Sequence, residues 1–202
     1  MGRQDVAEAT VPKPNITLLA ELTASIADGA LDKMGLPEGA RVHLRQTDQH
    51  EANWLVQSVL VEALTDRGHA ILTGNIGSAA GEDEGGSPSY EISYRIVACE
   101  TAYPRAWREW VVGSRKVERR TTVDIRFQLS DATKTILWAG SGQRDKRDIV
   151  PGGRVAELTT PGQAFTAPEL QTGGWDRIIE PVVVAGIVGG LIYLFYTSKS
   201  AD

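Results

Sequence analysis

The sequence of 202 residues contains a single cysteine, Cys99. One thiol excludes both an internal disulfide and a zinc site built from several cysteines. The preceding Ile-Val-Ala matches the short pattern of a lipoprotein cleavage box. However, the pattern lies in the middle of the chain, within alternating residues and without an apolar segment before it. We therefore expect Cys99 to be an ordinary half-buried strand residue.

Histidine is also scarce, with His43, His50 and His69 as the three examples. No pair of them has the local spacing of a zinc site, and no cysteine supports a nucleophilic arrangement. We therefore expect no catalytic activity and no metal. An enzyme that uses Asp124 or Glu118 with His43 is the alternative.

Phosphate and calcium motifs are missing as well. Gly140-Ser-Gly142 follows a predicted strand but lacks the spacing of a phosphate loop. The acidic residues 82–84 lack the spacing of a calcium loop. We expect no cofactor.

The net charge of −5 argues against a general nucleic-acid binder, since such proteins are usually strongly basic. Residues 1–8 are polar and contain no apolar core of a secretory signal. Either the main domain is cytosolic and tail-anchored, or the sequence lacks its export signal.

The most apolar segment is residues 181–198, which carries no ionisable acid or base. At a rise of 1.5 Å per residue it covers roughly 27 Å, close to the hydrocarbon thickness of a bilayer. The pattern predicts a single transmembrane helix near the C-terminus, with a buried core helix as the alternative.

The flanks of this segment fit a membrane span. Trp175 lies before it, and Tyr193 and Tyr196 lie toward its other end, as in the aromatic belts at membrane interfaces. Small residues inside it permit close helix packing in lipid. They are Ala185, Gly186, Gly189 and Gly190. We expect membrane lipids and other membrane-protein subunits as partners.

Hydrophobic periodicity predicts the rest of the fold. Apolar residues at helical spacing predict a first helix over residues 15–34, with Asn15 as its N-cap. The same spacing predicts a second helix, with Asp48 as its N-cap. Alternating residues predict strands at 41–46, 69–73, 90–98, 116–129 and 135–139. A strand–helix–strand unit followed by an antiparallel meander gives an α+β fold, with a mixed sheet and two helices on one face.

Composition divides the chain into four parts. Residues 1–14 are expected to be disordered, and residues 15–148 to form the globular domain, with a flexible acidic loop at 74–89. Residues 149–174 are rich in proline and glycine and predict a linker or arm. The anchor and a short tail occupy residues 175–202.

Two basic stretches and two tryptophans are candidates for contact with an acidic protein surface or anionic headgroups. A balanced, solvated sheet face is the alternative. The residues are Trp107, Trp110, Arg115, Lys116, Arg119, Arg120, Arg144, Lys146 and Arg147.

The segments Val59 to His69 and Val123 to Gly140, with the order of elements across about residues 36–148, resemble a group of bacterial envelope domains. The group includes the curli-secretion lipoprotein, the TolB N-terminal domain and the lipoprotein activators of penicillin-binding proteins. The resemblance implies a periplasmic, non-enzymatic adaptor or assembly domain. An acylated N-terminal cysteine is missing, and the predicted C-terminal anchor takes its place.

These patterns favour a single-pass accessory subunit of the bacterial inner membrane, whose main domain docks on an envelope complex. The alternative is a tail-anchored cytosolic regulatory module that binds an anionic ligand or lipid. Arg177 and Lys199 lie on opposite flanks of the span, so the positive-inside rule does not choose between them.

Overall fold

The computed structural model describes residues 11–72, 89–108 and 114–166. The main elements are α1 (Asn15–Met34), β1 (Arg41–Gln46), α2 (Asn53–Asp66), β2 (Ala70–Leu72), β3 (Ser89–Arg108), β4 (Arg115–Asp131) and β5 (Ile136–Pro151). They are followed by a 3₁₀ turn at Gly152–Arg154, the short helix α3 (Val155–Leu158) and a 3₁₀ turn at Ala164–Thr166.

The strands form one mixed sheet in the order β2-β1-β3-β4-β5. β1 runs parallel to both β2 and β3, with Val42 opposite Ile71 and Tyr90. β3, β4 and β5 are antiparallel neighbours. The predicted α+β class and mixed sheet are confirmed.

The main core lies between one face of the sheet and the two long helices. Alternate residues of β3 and β4 are buried there, including Ile96 and its partner Ile125. Leu19 from α1 and Leu60 from α2 are buried in the same cluster. Burial of each such side chain stabilises the fold by roughly 1.5–3 kcal/mol. This face is called the helix side below.

A glycine allows α1 to approach β5 closely. A Cβ atom added to Gly142 would lie 2.5 Å from Cγ2 of Ile26. Trp138 lies two residues before Gly140 on the same face of β5, and its indole packs beside that glycine. Glycines in this strand therefore serve close packing, as is typical of glycine within strands.

β3 continues beyond the predicted strand at 90–98, through Pro104 to Arg108. The register of its pairing with β4 shifts between Ala102 and Arg105. Proline is tolerated at such irregularities because no ladder hydrogen bond from its nitrogen is needed. The extension supports a second small core, formed by Tyr103, Val117, Val150, Val155 and Leu158.

The structure differs from the linker expectation over residues 149–166. β5 extends to Pro151, and the residues after it lie against the domain. Val155 and Leu158 belong to the second core, and Phe165 is buried in the main core. The proline and glycine residues form turns between these apolar contacts. Residues 167–174 lie outside the described part of the chain.

Both predicted helix caps are corrected. The N-cap position of α1 is Pro14, and Asn15 is a fully buried first helical residue. α2 begins at Asn53, after Ala52, and has no side-chain capping bond. The Asp48 carboxylate instead accepts a hydrogen bond from Arg95 at 3.1 Å.

No helix within the three described ranges is long and apolar enough to cross a membrane. The span predicted at 181–198 lies outside those ranges. So do Trp110, Trp175, Ala185, Gly186, Gly189, Gly190, Tyr193 and Tyr196, together with residues 1–10 and 73–88.

Candidate functional site on the open face of the sheet

The face of the sheet opposite the helix side is called the open face. β5 shows its exposure most clearly, since every second residue from Ala139 to Ile149 is exposed there. The helix-side residues between them include Gly142, which packs under α1. Alternation along β5 therefore assigns these residues to the open face, and the residues between them to the helix side, which α1 covers near Gly142.

Six side chains near the Arg108 end of β3 form what we call the distal patch. They are Arg105, Trp107, Lys116, Arg120, Arg147 and Ile149. Three strands contribute to it, with Trp107 opposite Lys116 and Arg120 opposite Arg147. Directly opposed residues share a face of an antiparallel sheet, so these side chains lie on one surface.

The apolar part of the distal patch consists of Trp107 and Ile149. Ile149 is 60% exposed, among the most exposed large hydrophobic side chains of the described residues. The Arg105 guanidinium lies 5.9 Å from the ring centroid of Trp107, within cation–π range. An aromatic ring held beside arginine is a common anchor of protein interfaces.

The distal patch carries an excess of positive charge. Its four basic residues share this part of the open face with three acidic residues, Glu100, Glu118 and Asp145. The Thr122 hydroxyl donates a 2.7 Å hydrogen bond to Asp145, and Arg120 donates another at 3.3 Å. The Thr122 bond, then the nearby positive charge of Arg120, lowers the pKa of Asp145. Asp145 is therefore ionised near neutral pH and orders the Arg120 side chain.

Strand alternation separates the predicted contact residues. Lys116, Arg120 and Arg147 lie on the open face with Trp107. The helix side holds Arg115, Arg119, Arg144 and Lys146. The two basic stretches lie side by side on β4 and β5, but each is divided between the two faces, because successive side chains of a strand point to opposite faces.

Arg119 is the clearest correction among these residues. It is 1% exposed, and its Nε donates a 2.8 Å hydrogen bond to Oδ1 of Asp148. Its Nη1 also donates to the Lys13 carbonyl oxygen at 2.6 Å and to Asn15 Oδ1 at 2.9 Å. Arg119 is thus a structural residue and is not available to a partner.

Asn15 extends this network to the C-terminal part of the described chain. Its Nδ2 donates to the Tyr103 hydroxyl at 2.7 Å and to the Thr166 carbonyl oxygen at 2.8 Å. Burial raises the pKa of Tyr103, against the opposing effect of the Asn15 hydrogen bond. No local pattern could have indicated this network, since its partners are far apart in sequence.

The structure does not bring together the residues of the alternative enzyme hypothesis, in which Asp124 or Glu118 acts with His43. His43 lies opposite Glu91, whose partner on β4 is Ser130. Asp124 is six positions away from Ser130 along β4, which corresponds to about 20 Å. Glu118 lies farther along the same strand. Within the described ranges, no group of three histidine, cysteine or acidic side chains could hold a metal ion.

No protein-family model and no curated protein matches the chain. Among solved structures, it is similar to a homologue of the neuraminyllactose-binding hemagglutinin from Helicobacter pylori. That match has 9% identity and a TM-score of 0.34, and covers 57% of this chain and 71% of the other. It is also similar to a minor lipoprotein from Acinetobacter baumannii, with 15% identity, a TM-score of 0.28, and coverage of 77% of this chain and 87% of the other. Scores this low carry no argument about function.

Proposed function

We propose that the chain is a non-enzymatic accessory subunit that docks its α+β domain on a membrane complex through the distal patch. The observation that carries the proposal is the combination of exposed Ile149, half-buried Trp107 and surplus positive charge on the open face. Charged residues steer association, and a central aromatic or apolar anchor provides affinity. An acidic surface on a neighbouring subunit has the matching chemistry.

The proposal also includes a bacterial inner-membrane anchor at 181–198 and a periplasmic position for the main domain. Support comes from the apolar run and its aromatic flanks in the sequence. Carbonate washing of membranes tests the anchor, because an integral protein stays in the pellet. Protease treatment of sealed vesicles of known orientation tests which side carries residues 1–174.

Charge reversal on β5 tests docking with a matched control. Arg147 and Lys146 are adjacent, exposed and basic, but lie on opposite faces. We expect Arg147→Glu to reduce stoichiometric co-purification of partner subunits in mild detergent by at least about tenfold, and Lys146→Glu to leave it unchanged. Equal recovery with both variants would contradict docking through the open face.

The basic charge of the distal patch also favours a second candidate, a cytosolic tail-anchored module that binds anionic lipid or another anionic ligand. Binding of the chain to liposomes with and without phosphatidylserine, measured together with the protease assay, separates the two candidates. Binding that depends on anionic lipid and on Arg147, with the main domain on the cytosolic side, would favour this second candidate.

A further inference from the structure

A groove between α1 and the edge strand β5 lies on the helix side, apart from the distal patch. Its volume is about 330 Å³. Ser25, Gly29 and Lys33 line one wall from successive turns of α1, and residues 138–142 with Arg144 line the other. The groove therefore runs along the backbone of an edge strand.

β5 is an edge strand of the sheet formed by the described residues. It pairs with β4 on one side, and on its other side no strand of the described part of the chain lies next to it. Proteins commonly protect long edges with charged residues or proline. β5 has such protection at residues 144–148 and at Pro151, whereas residues 136–143 carry no charge. The unprotected part coincides with the groove.

The opposite wall leaves room for side chains of an added strand. Gly29 lies in the middle of α1, and a Cβ atom placed on it would meet no other atom within 4 Å. Glycine in a helix interior costs stability relative to alanine and is not needed here for any described internal contact. The space above Gly29 can accept alternate side chains of a peptide paired with β5.

The positive charge of the groove favours an occupant with acidic side chains. Lys33, in the last turn of α1, and Arg144 are the ionisable residues that line it, and no acidic residue does. A second copy of β5 would bring further positive charge, including Arg144 and Lys146, toward these groups. An acidic strand has the opposite charge and is the better match.

We propose that the groove binds an extended acidic peptide segment of a partner protein by adding it as a strand to β5. The backbone of residues 137–143 would supply the ladder hydrogen bonds, as in other cases of strand addition. Small or apolar side chains would lie over Gly29, and carboxylates would face Lys33 and Arg144. This inference does not depend on the distal patch.

A display library of random short peptides, selected on the full chain, tests the inference. We expect enrichment of extended sequences with alternating apolar side chains and acidic residues. Hydrogen exchange with a synthetic copy of an enriched peptide should show slower exchange at residues 137–143. Failure to enrich any sequence, or enrichment without acidic residues, would overturn the proposal.

Variants then locate the binding site. Gly29→Leu fills the groove at a position with free space, so the fold should be retained while peptide affinity falls by at least about tenfold. The double variant Lys33→Glu/Arg144→Glu should weaken acidic peptides similarly. Lys146→Glu, on the same face of β5 but outside the groove, should bind like the unmodified chain.

Three other results would contradict the proposed binding site or its occupant. Unchanged affinity in Gly29→Leu would place the peptide elsewhere and overturn the proposal. Concentration-dependent dimerisation in sedimentation, abolished by Gly29→Leu, would identify a second copy as the occupant and overturn the acidic-partner assignment. Loss of binding in Arg147→Glu alone would move the site to the distal patch, so failure of this inference is distinguishable from failure of the proposed docking function.

Discussion

The guanidinium of Arg119 is buried against the carboxylate of Asp148, its neighbour across β4 and β5, with Nε and Oδ1 2.8 Å apart. Asn15 and the carbonyl oxygen of Lys13 accept the hydrogen bonds of Nη1. Arg119 therefore joins β4 to β5 through its ion pair and to the start of α1 through its hydrogen bonds. The position of the distal patch depends on those same strands.

The first prediction concerns this pair. Asp148→Asn removes the charge that balances a buried guanidinium, and because the Asp148 side chain itself is 33% exposed we expect a loss of about 1–3 kcal/mol of unfolding free energy. Asp145→Asn is the control, because it weakens an exposed pair with Arg120 and should cost less than about 1 kcal/mol. Guanidinium chloride unfolding of both variants measures the difference. Equal midpoints would show that the buried pair does not hold β4 and β5 together.

The second prediction concerns the contact between α1 and β5. Gly142→Ala would place a Cβ atom 2.5 Å from the Ile26 side chain, so we expect a loss of about 1–3 kcal/mol. In an Ile26→Ala background the same change should cost less in a double-mutant cycle, because alanine lacks Cγ2, the atom nearest to the added Cβ. Gly153→Ala, where no atom lies within 4 Å, serves as the neutral control. A neutral Gly142→Ala would contradict the close approach of the helix.

The third prediction concerns the segment that the sequence assigned to a linker. Phe165 is 9% exposed within the main core. Phe165→Ala should therefore lower the unfolding free energy by about 3 kcal/mol. The exposed neighbouring residue provides the control Ala164→Ser, which should change it little. Calorimetry of the two variants would decide whether this segment belongs to the folded domain.

The fourth prediction concerns alkaline pH. Burial raises the pKa of Cys99 to about 12, from an ordinary value near 9, with a further contribution from Glu100. Burial also raises the pKa of Tyr94 to about 12. Both groups hold their protons in the folded state more tightly than in the unfolded state, so their stabilising contribution is complete below the unfolded pKa. Stability should fall as the pH rises from about 9 toward 12, by up to about 1.4 kcal/mol per pH unit for each group.

Cys99→Ser isolates the thiol contribution to that decline. Between pH 9 and 10 the unfolded thiol ionises before unfolded tyrosine does, so the variant should show a flatter decline there in denaturant titrations. The same burial should make Cys99 slow to react with a thiol reagent until the protein unfolds. Rapid labelling of the native chain at pH 8 would contradict the buried position of the thiol.

Local periodicity predicted most of the elements. The α1 pattern at 15–34 and the β1 pattern at 41–46 coincide with the observed bounds, because each buries one face against the core. The strand predicted at 69–73 corresponds to β2 (Ala70–Leu72), which is parallel to β1. Strong periods with one buried face are the most reliable signal in a sequence.

The length of β5 could not be predicted in the same way. Gly140, Gly142 and the charged residues that follow interrupt any alternation of apolar residues, so the sequence indicated only residues 135–139. The strand persists because β4 supplies a paired edge over its whole length. Trp138 and α1 cover the glycine positions, which is a tertiary effect.

The candidate site was predicted only in part. If the full length of β5 had been known, strand alternation would have placed Arg147 and Lys146 on opposite faces of the sheet. The burial of Arg119 depends on Asp148, which is 29 positions away in sequence. Val155, Leu158 and Phe165 were the available signal that residues after β5 return to the domain.

Site-directed photo-crosslinking in native membranes tests docking through the open face most directly. Ile149 and Trp54 are both exposed hydrophobic residues, at 60% and 49%, but Ile149 lies in the distal patch and Trp54 on α2. A crosslinker at position 149 should give one discrete adduct with a membrane-protein subunit, and one at position 54 should give none. Equal adducts at both positions, or no protein adduct at position 149, would contradict the proposed function.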